Sequence, residues 1–335
     1  MLALGDILAA ARTIDGIASD TPLVPSMLSN RLGGALWLKL ETCQPMGAFK
    51  LRGAVHAVAN LPHGTAGVIC CSTGNHGRAL AFAAAARKLR AVVCMSQLVP
   101  HNKVEGIRAL GAEVHIHGRS QDDAQTGATR LSHTDDLVDI PPFDDPHVIA
   151  GQGTIALEML AAHPDLDTLL IPLSGGGLAA GMAVAARAIR PDIRLIGISM
   201  ERGAAMAASI DAGRPVQVEE HPSLADSLGG GIGLGNRYSF ALCRDLLDDV
   251  VRVTEAEIYA AMQALYHKDR MVAEGASVVA IAALMAGKIA PSPQMGTVLT
   301  GRNVDMAQFT RVITGQDVTL GGHTIKGQDK GLTYG

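Results

Sequence analysis

The 335-residue sequence predicts an α/β fold built on mainly parallel sheets, in one big domain or two intimate lobes. Three observations carry that expectation. Short apolar runs alternate with helix-like runs along most of the chain, the βαβ rhythm of a parallel sheet with helices on its faces. A turn-rich break holding Pro141, Pro142 and Pro146 interrupts the rhythm, a suitable place for the chain to change lobes. The apolar content of 48% is ample for a large core in one big domain or two intimate lobes.

Taken in order, the N-terminal run up to residue 17 reads as an amphipathic helix of the mature protein. It lacks the basic start of a signal peptide, and Asp6 interrupts its apolar stretch. Residues 66–71 read as a strand and 76–89 as an Ala-rich helix. Strand 91–95 and helix 102–110 follow, then strand 113–117 and helix 121–132. Beyond the proline break the rhythm resumes with helix 149–162, strand 167–172, helix 177–189 and strand 193–199. Near the end, 275–287 reads as a helix and 297–300 as a strand. The Gly-rich, polar tail after Val318 reads as an arm or a frayed end.

Composition removes several classes of function. A net charge of −4 leaves no basic field for nucleic acid and no lysine run for anionic lipid, and 3% aromatics make a base-stacking surface a poor fit. The Ala-rich run 80–86 is too short to span a membrane and is flanked by Arg78 and Arg87. Five cysteines (Cys43, Cys70, Cys71, Cys94 and Cys243) form no C-x-x-C, so neither a disulfide framework nor a zinc site is expected, and a reduced cytoplasm is. His101, His115 and His117 lack metal-ligand spacing, and no metal is expected.

Four segments could carry chemistry. Pro45–Ala54 sets Lys50 after an apolar run and a glycine turn; a sheltered lysine loses its proton and forms a Schiff base, although alone it reads first as a surface lysine opening a helix. Residues 71–77 (C-S-T-G-N-H-G) join a strand to a helix, where unsatisfied N–H groups suit a carboxylate; the ordinary reading is a βα turn capped by Ser72 or Asn75. In residues 172–178 (P-L-S-G-G-G-L) the glycines let backbone N–H groups approach a phosphate. The segment lacks both the G-K-[ST] ending of a P-loop and the G-x-G-x-x-G of a dinucleotide site, so a small phosphate fits better, with a tight turn as the alternative. The fourth, 299–303, could turn the Thr300 hydroxyl toward a ring nitrogen or be a plain strand-end turn. Glycines 229–233 read as a loop, and Glu274 either approaches a cofactor or caps the next helix.

Together and in this order, the four segments resemble the fold-type II pyridoxal-phosphate (PLP) enzymes, the group of threonine dehydratase, serine racemase and threo-3-hydroxyaspartate ammonia-lyase. The likeness runs from Thr21-Pro22-Leu23-Val24 to about Asp305 and takes in 143–146, 148–154, Ala225-Asp226 and 248–250. It implies a two-lobed architecture like the tryptophan synthase β chain, with a large PLP-binding domain from 1–56 and 141–335 and a small mobile domain from 57–140. The resemblance further implies that Lys50 holds PLP and moves the α proton, that Phe49 packs on its ring, and that Asn75 bonds its phenolic oxygen. Ser174, Gly175, Gly176, Gly177 and Leu178 hold its phosphate, and Thr300 meets its pyridine nitrogen. It likewise implies that Ser72, Thr73 and His76 take the carboxylate of an amino-acid substrate and that the assembly is a homodimer.

Three departures from the group's pattern stand out. Thr73 stands where racemases carry the serine that acts as second-face base; its hydroxyl makes it a catalytic candidate beside Lys50, and its greater bulk favours elimination over racemisation without excluding the latter. Ser199 and Ala205 occupy positions where cation-binding members carry acidic ligands. Thr300 stands where serine or cysteine is usual. Segments 227–233, 236–238 and 301–306 resemble, more narrowly, the hydroxyectoine utilisation dehydratases, which implies a 3-hydroxy-2,4-diaminobutyrate skeleton as substrate. Rival readings are threonine, serine or hydroxyaspartate dehydration, racemisation, a cysteine-synthase-like transferase, a nicotinamide-dependent dehydrogenase and a non-catalytic ligand-binding protein. Met46-Gly47-Ala48-Phe49 speaks against the transferase, the missing dinucleotide fingerprint against the dehydrogenase, and the presence of Lys50 and Asn75 against the binding protein.

Overall fold

The computed structural model describes residues 2–72, 74–97, 99, 101–119 and 121–327. In chain order its elements are α1 (Leu4–Ile14), β1 (Leu23–Pro25), α2 (Ser29–Leu32), β2 (Ala35–Lys39), α3 (Lys50–Ala59), β3 (Gly67–Cys71), α4 (Asn75–Ala86), β4 (Arg90–Met95) and α5 (His101–Arg108). Next come β5 (Glu113–Ile116), α6 (Gln121–Thr134), β6 (Val138–Asp139), α7 (Pro146–Ala162), β7 (Thr168–Pro172), α8 (Gly177–Ile189), β8 (Arg194–Met200) and α9 (Ala205–Ala212). The last are α10 (Ser239–Leu246), β9 (Asp249–Val253), α11 (Glu255–Ala264), α12 (Val279–Met285), β10 (Gln294–Val298), α13 (Met306–Ile313), β11 (Val318–Leu320) and β12 (His323–Ile325).

Two sheets organise these elements. The larger has the order β1-β2-β10-β7-β8-β9, parallel except for β1. The smaller has the order β5-β4-β3-β6 and is parallel throughout. All strands of the smaller sheet come from between Gly67 and Asp139, and the larger sheet takes strands from both sides of that stretch. Central strands β3 and β7 are buried along their whole length, as strands covered by helices on both faces must be. The α/β class read from the periodicity is the one observed.

Boundaries moved where side chains captured the backbone. Helix α7 starts three residues earlier than its periodicity suggests, because Pro146 sits in the first turn and Asp145 caps the N–H groups of His147 and Val148 at 2.8 and 2.9 Å. The expected helix over 275–287 is a 3-10 turn, Gly275–Val278, leading into α12. Strand β10 ends at Val298 instead of 300, since the next residues pair elsewhere: Phe49 N–H in the lysine segment donates to the Thr300 carbonyl at 3.0 Å, and Glu274 N–H to that of Gly301 at 2.9 Å. The tail is not frayed through 325. Strands β11 and β12 form a hairpin, with Val318 buried and Leu320 and Ile325 packed on the core. Among the described residues no cysteine forms a disulfide, and of the five Cys43 alone is exposed. Among the described residues, no helix is long and apolar enough to cross a membrane.

Candidate active site

Ligands of open parallel sheets lie beyond the carboxyl ends of the strands. Here β3, β7 and β10 each end in one of the segments singled out above, and the lysine segment is stitched to the third. Ala48 forms a bridge with Gly301, and Arg302 N–H donates to the Gly47 carbonyl at 2.9 Å. Lys50 thus opens α3 directly beside Thr300.

Lys50 Nζ donates to the Pro142 carbonyl at 2.5 Å and lies 5.2 Å from the centroid of the Phe49 ring. Burial strips water from the ammonium form and pulls its pKa from 10.5 to about 8. A lysine so placed keeps a usable fraction of free amine near neutral pH, the property a Schiff-base nucleophile needs.

At the β3 end, the Ser72 hydroxyl accepts from Gly74 N–H at 3.3 Å and Gly77 N–H at 3.1 Å, and so caps the start of α4. His76 is buried and meets the Ile140 carbonyl through Nε2 at 2.7 Å. Desolvation first, and the Lys50 charge second, lower its pKa to about 3 against the opposing pull of that carbonyl. The ring is therefore neutral, with Nε2 as donor, so His76 brings no positive charge to a carboxylate. Thr73 lies outside the described residues.

Asn75 meets partners that come from far along the chain. Its amide nitrogen donates to both oxygens of Glu274, at 3.0 and 3.1 Å, and its amide oxygen accepts from Asn303 Nδ2 at 2.7 Å. Glu274 also accepts from Asn303 N–H at 2.8 Å and from Ser227 at 3.4 Å. It makes no side-chain cap on the turn that follows. Burial raises its pKa, while the hydrogen bond from Asn75 works the other way. Thr300, 5% exposed, shares a 3.0 Å hydrogen bond with Ser277, whose hydroxyl also reaches the Gly301 carbonyl at 3.0 Å.

At the β7 end, Ser174–Leu178 wrap the start of α8, whose first N–H groups have no partner inside the helix. Gly176 holds φ +89°, open to glycine and costly to other residues. A methyl on Gly175 would lie 2.2 Å from Cδ1 of Phe143, so this cradle admits no side chain. Asp144, beside Phe143, accepts from the N–H groups of Arg237, Tyr238 and Ser239 at 2.7, 2.9 and 2.9 Å. Arg237 thus joins through its backbone, and the side chains of Arg237 and Arg302 are exposed.

Sequence reasoning did not single out Ser277 or Ser239; it met Pro142 only in the proline break, Cys243 only among the cysteines and Asn303 only as part of a motif. Ser277 stands within an apolar run that reads as helix interior. Its partner is 23 residues on, a separation that no local period reveals.

The residues present fit PLP. An amine of lowered pKa suits its aldehyde, a glycine cradle closed to side chains suits its phosphate, and a buried hydroxyl pair at a strand end suits its ring nitrogen. Together with the fold, they define an enzyme that carries a phosphorylated aldehyde cofactor. The chain belongs to the family of pyridoxal-phosphate dependent enzymes, whose model matches residues 14–301. A Sinorhizobium fredii protein provisionally named a threonine dehydratase is 54% identical over 94% of this chain and 96% of its own length. The L-threonine ammonia-lyase of Thermotoga maritima is 36% identical over 93% of this chain and 78% of its own. The structure of maize serine racemase superposes with a TM-score of 0.88 at 30% identity, covering 94% of this chain and 98% of that one. The cofactor is PLP, and the chain is a lyase of the dehydratase and ammonia-lyase kind.

Proposed function

We propose that this lyase eliminates water and then ammonia from a small 3-hydroxy-amino acid with a 2,4-diaminobutyrate skeleton, as in hydroxyectoine breakdown. Bound PLP supplies an electron sink for bond breaking at the α carbon. The chain supplies the rest. Lys50 Nζ holds the cofactor and takes the α proton. Ser72, Thr73 and His76 belong to the loop that takes the carboxylate, with the Ser72 hydroxyl fixing the loop's turn. Residues 174–178 grip the phosphate, Asn75 faces the phenolic oxygen and Phe49 the ring. Thr300, a neutral hydroxyl, meets the ring nitrogen and leaves it largely unprotonated, which favours prompt loss of the β hydroxyl. The α proton and β hydroxyl leave as water, and the released enamine becomes an imine that water splits into keto acid and ammonia.

One observation carries the substrate. The three segments of the narrower resemblance converge on this site: Ser227 on Glu274, Asn303 on Asn75, and Asn236 on Ser239 at 2.9 Å, beside the glycine cradle. A domain of 57–140 closing on one of 1–56 and 141–335 excludes water from the cleft, and the enzyme works as a cytoplasmic homodimer. A second reading, a threonine dehydratase, is favoured by the names of the two relatives.

Ammonia release from the PLP-loaded enzyme tests the proposal. The panel holds serine, threonine, threo-3-hydroxyaspartate, and 3-hydroxy-2,4-diaminobutyrate with its N-acetylated forms. Preference for a diaminobutyrate supports the proposal, and preference for threonine replaces it with the second reading.

A further inference from the structure

The glycine cradle is held from behind by α10. Ser239, fully buried, donates its hydroxyl to the Gly175 carbonyl at 2.8 Å. One turn on, the fully buried thiol of Cys243 points at the Gly176 carbonyl at 3.5 Å. Residues four apart share a helix face, so one face of α10 presents donors to two successive carbonyls. Burial pushes the Cys243 thiol up to about 12, against the pull of a backbone hydrogen bond at Ala180, so it remains an S–H donor at neutral pH.

Helix α10 is itself pinned. The Asp144 carboxylate accepts from three N–H groups at its start, and Asn236 Nδ2 donates to Ser239 Oγ at 2.9 Å, which leaves the hydroxyl proton for Gly175. In a planar trans peptide the carbonyl and the following N–H point in opposite directions. Drawing the Gly175 carbonyl toward α10 therefore turns the Gly176 N–H away from it, to the side where an anion sits at the start of α8; the Gly176 carbonyl accepts from Ala180 N–H at 2.8 Å as well as from the Cys243 thiol, so the thiol adds to a direction that α8 itself favours.

We propose that Ser239 and Cys243 are positioning residues that pre-set the glycine cradle for the cofactor phosphate. They act through the Gly175 and Gly176 carbonyls without touching the cofactor. The inference rests on the reading that residues 174–178 take the phosphate.

The test titrates the full-length apoenzyme with PLP and, separately, with pyridoxal, which lacks the phosphate. Losing a donor to a carbonyl should weaken PLP binding about five- to tenfold in Ser239→Ala and about threefold in Cys243→Ala, with pyridoxal changed by less than about twofold. Cys243→Ser keeps a donor and should bind PLP like the wild type. Gly175→Ala, whose methyl meets Phe143, serves as the control for the cradle. If Gly175→Ala loses the preference for PLP over pyridoxal while both alanine variants keep full PLP affinity, the positioning role is overturned and the cradle assignment stands. If Gly175→Ala keeps that preference, the cradle assignment falls and the inference with it. Parallel losses for PLP and pyridoxal would reduce Ser239 and Cys243 to ordinary packing. Should Ser239→Ala not fold, the contrast between Cys243→Ala and Cys243→Ser decides alone.

Discussion

An amine held away from water gives up its proton more readily, and Lys50 is such an amine. With a pKa of about 8, about a tenth of it is free base at pH 7, against roughly a few parts in ten thousand for an ordinary lysine. Labelling of Lys50 in the apoenzyme by trinitrobenzenesulfonate, followed by peptide mapping, should reach half its maximal rate near pH 8; a midpoint near 10.5 contradicts the burial argument. The sign for stability follows from the same shift. Between about pH 8 and 10.5 the unfolded chain binds the proton that the folded apoenzyme has released, so apoenzyme stability rises with pH across that window. Lys50→Met should flatten that rise in a series of melting curves. Glu274 offers a second test at this scale. Glu274→Ala leaves the Asn75 amide and the Asn303 N–H without their acceptor, and should cost about 1–3 kcal/mol in denaturant unfolding. A loss below about 0.5 kcal/mol, the ordinary surface range, would mean that water replaces the carboxylate freely.

Helix α3 sets the direction of Lys50, and a buried charge network sets α3. Arg52, two residues on and fully buried, forks onto Glu41 through Nε and Nη2, each at 2.8 Å. It also reaches Thr154 at 3.0 Å and Glu158 at 2.7 Å on α7. Lys39, at the end of β2, joins the same Glu158 at 2.5 Å. Removing one member strands a charge in the interior. Arg52→Met should therefore destabilise the protein by about 3–5 kcal/mol, and adding Glu41→Gln should restore part of that. Denaturant midpoints of the single and double variants check this, and equal costs for the two would contradict the pairing. The network was not legible in the sequence. Arg52 stands at a helix start beside glycine, and its partners come from a 3-10 turn and a helix about a hundred residues on. Strands β3, β4, β7 and β8 were legible because each is an apolar run between turn residues. Strand β6 was not, because two residues carry no period.

Across the whole molecule, the site exists only where three strand ends meet, and that explains which parts of it could be read from the chain. Phosphate cradles need glycine and Schiff bases need lysine, so 174–178 and Lys50 stand out as candidates by residue type. Pairs such as Ser277–Thr300 and Asn75–Glu274 are products of the fold, and no spacing encodes them. A ligand that bridges these ends should stabilise the folded chain by mass action, by about 2.7 kcal/mol at a hundredfold excess over its dissociation constant. Adding PLP to the apoenzyme should raise its melting temperature, and Lys50→Ala should lose most of that rise. The most direct measurement is borohydride reduction of the PLP-loaded enzyme followed by peptide mass mapping, with ammonia release followed in parallel. The predicted result is one pyridoxyl group on the peptide carrying Lys50 and loss of ammonia release in step with its formation. Modification of another lysine, or full activity after Lys50 is blocked, would contradict the account.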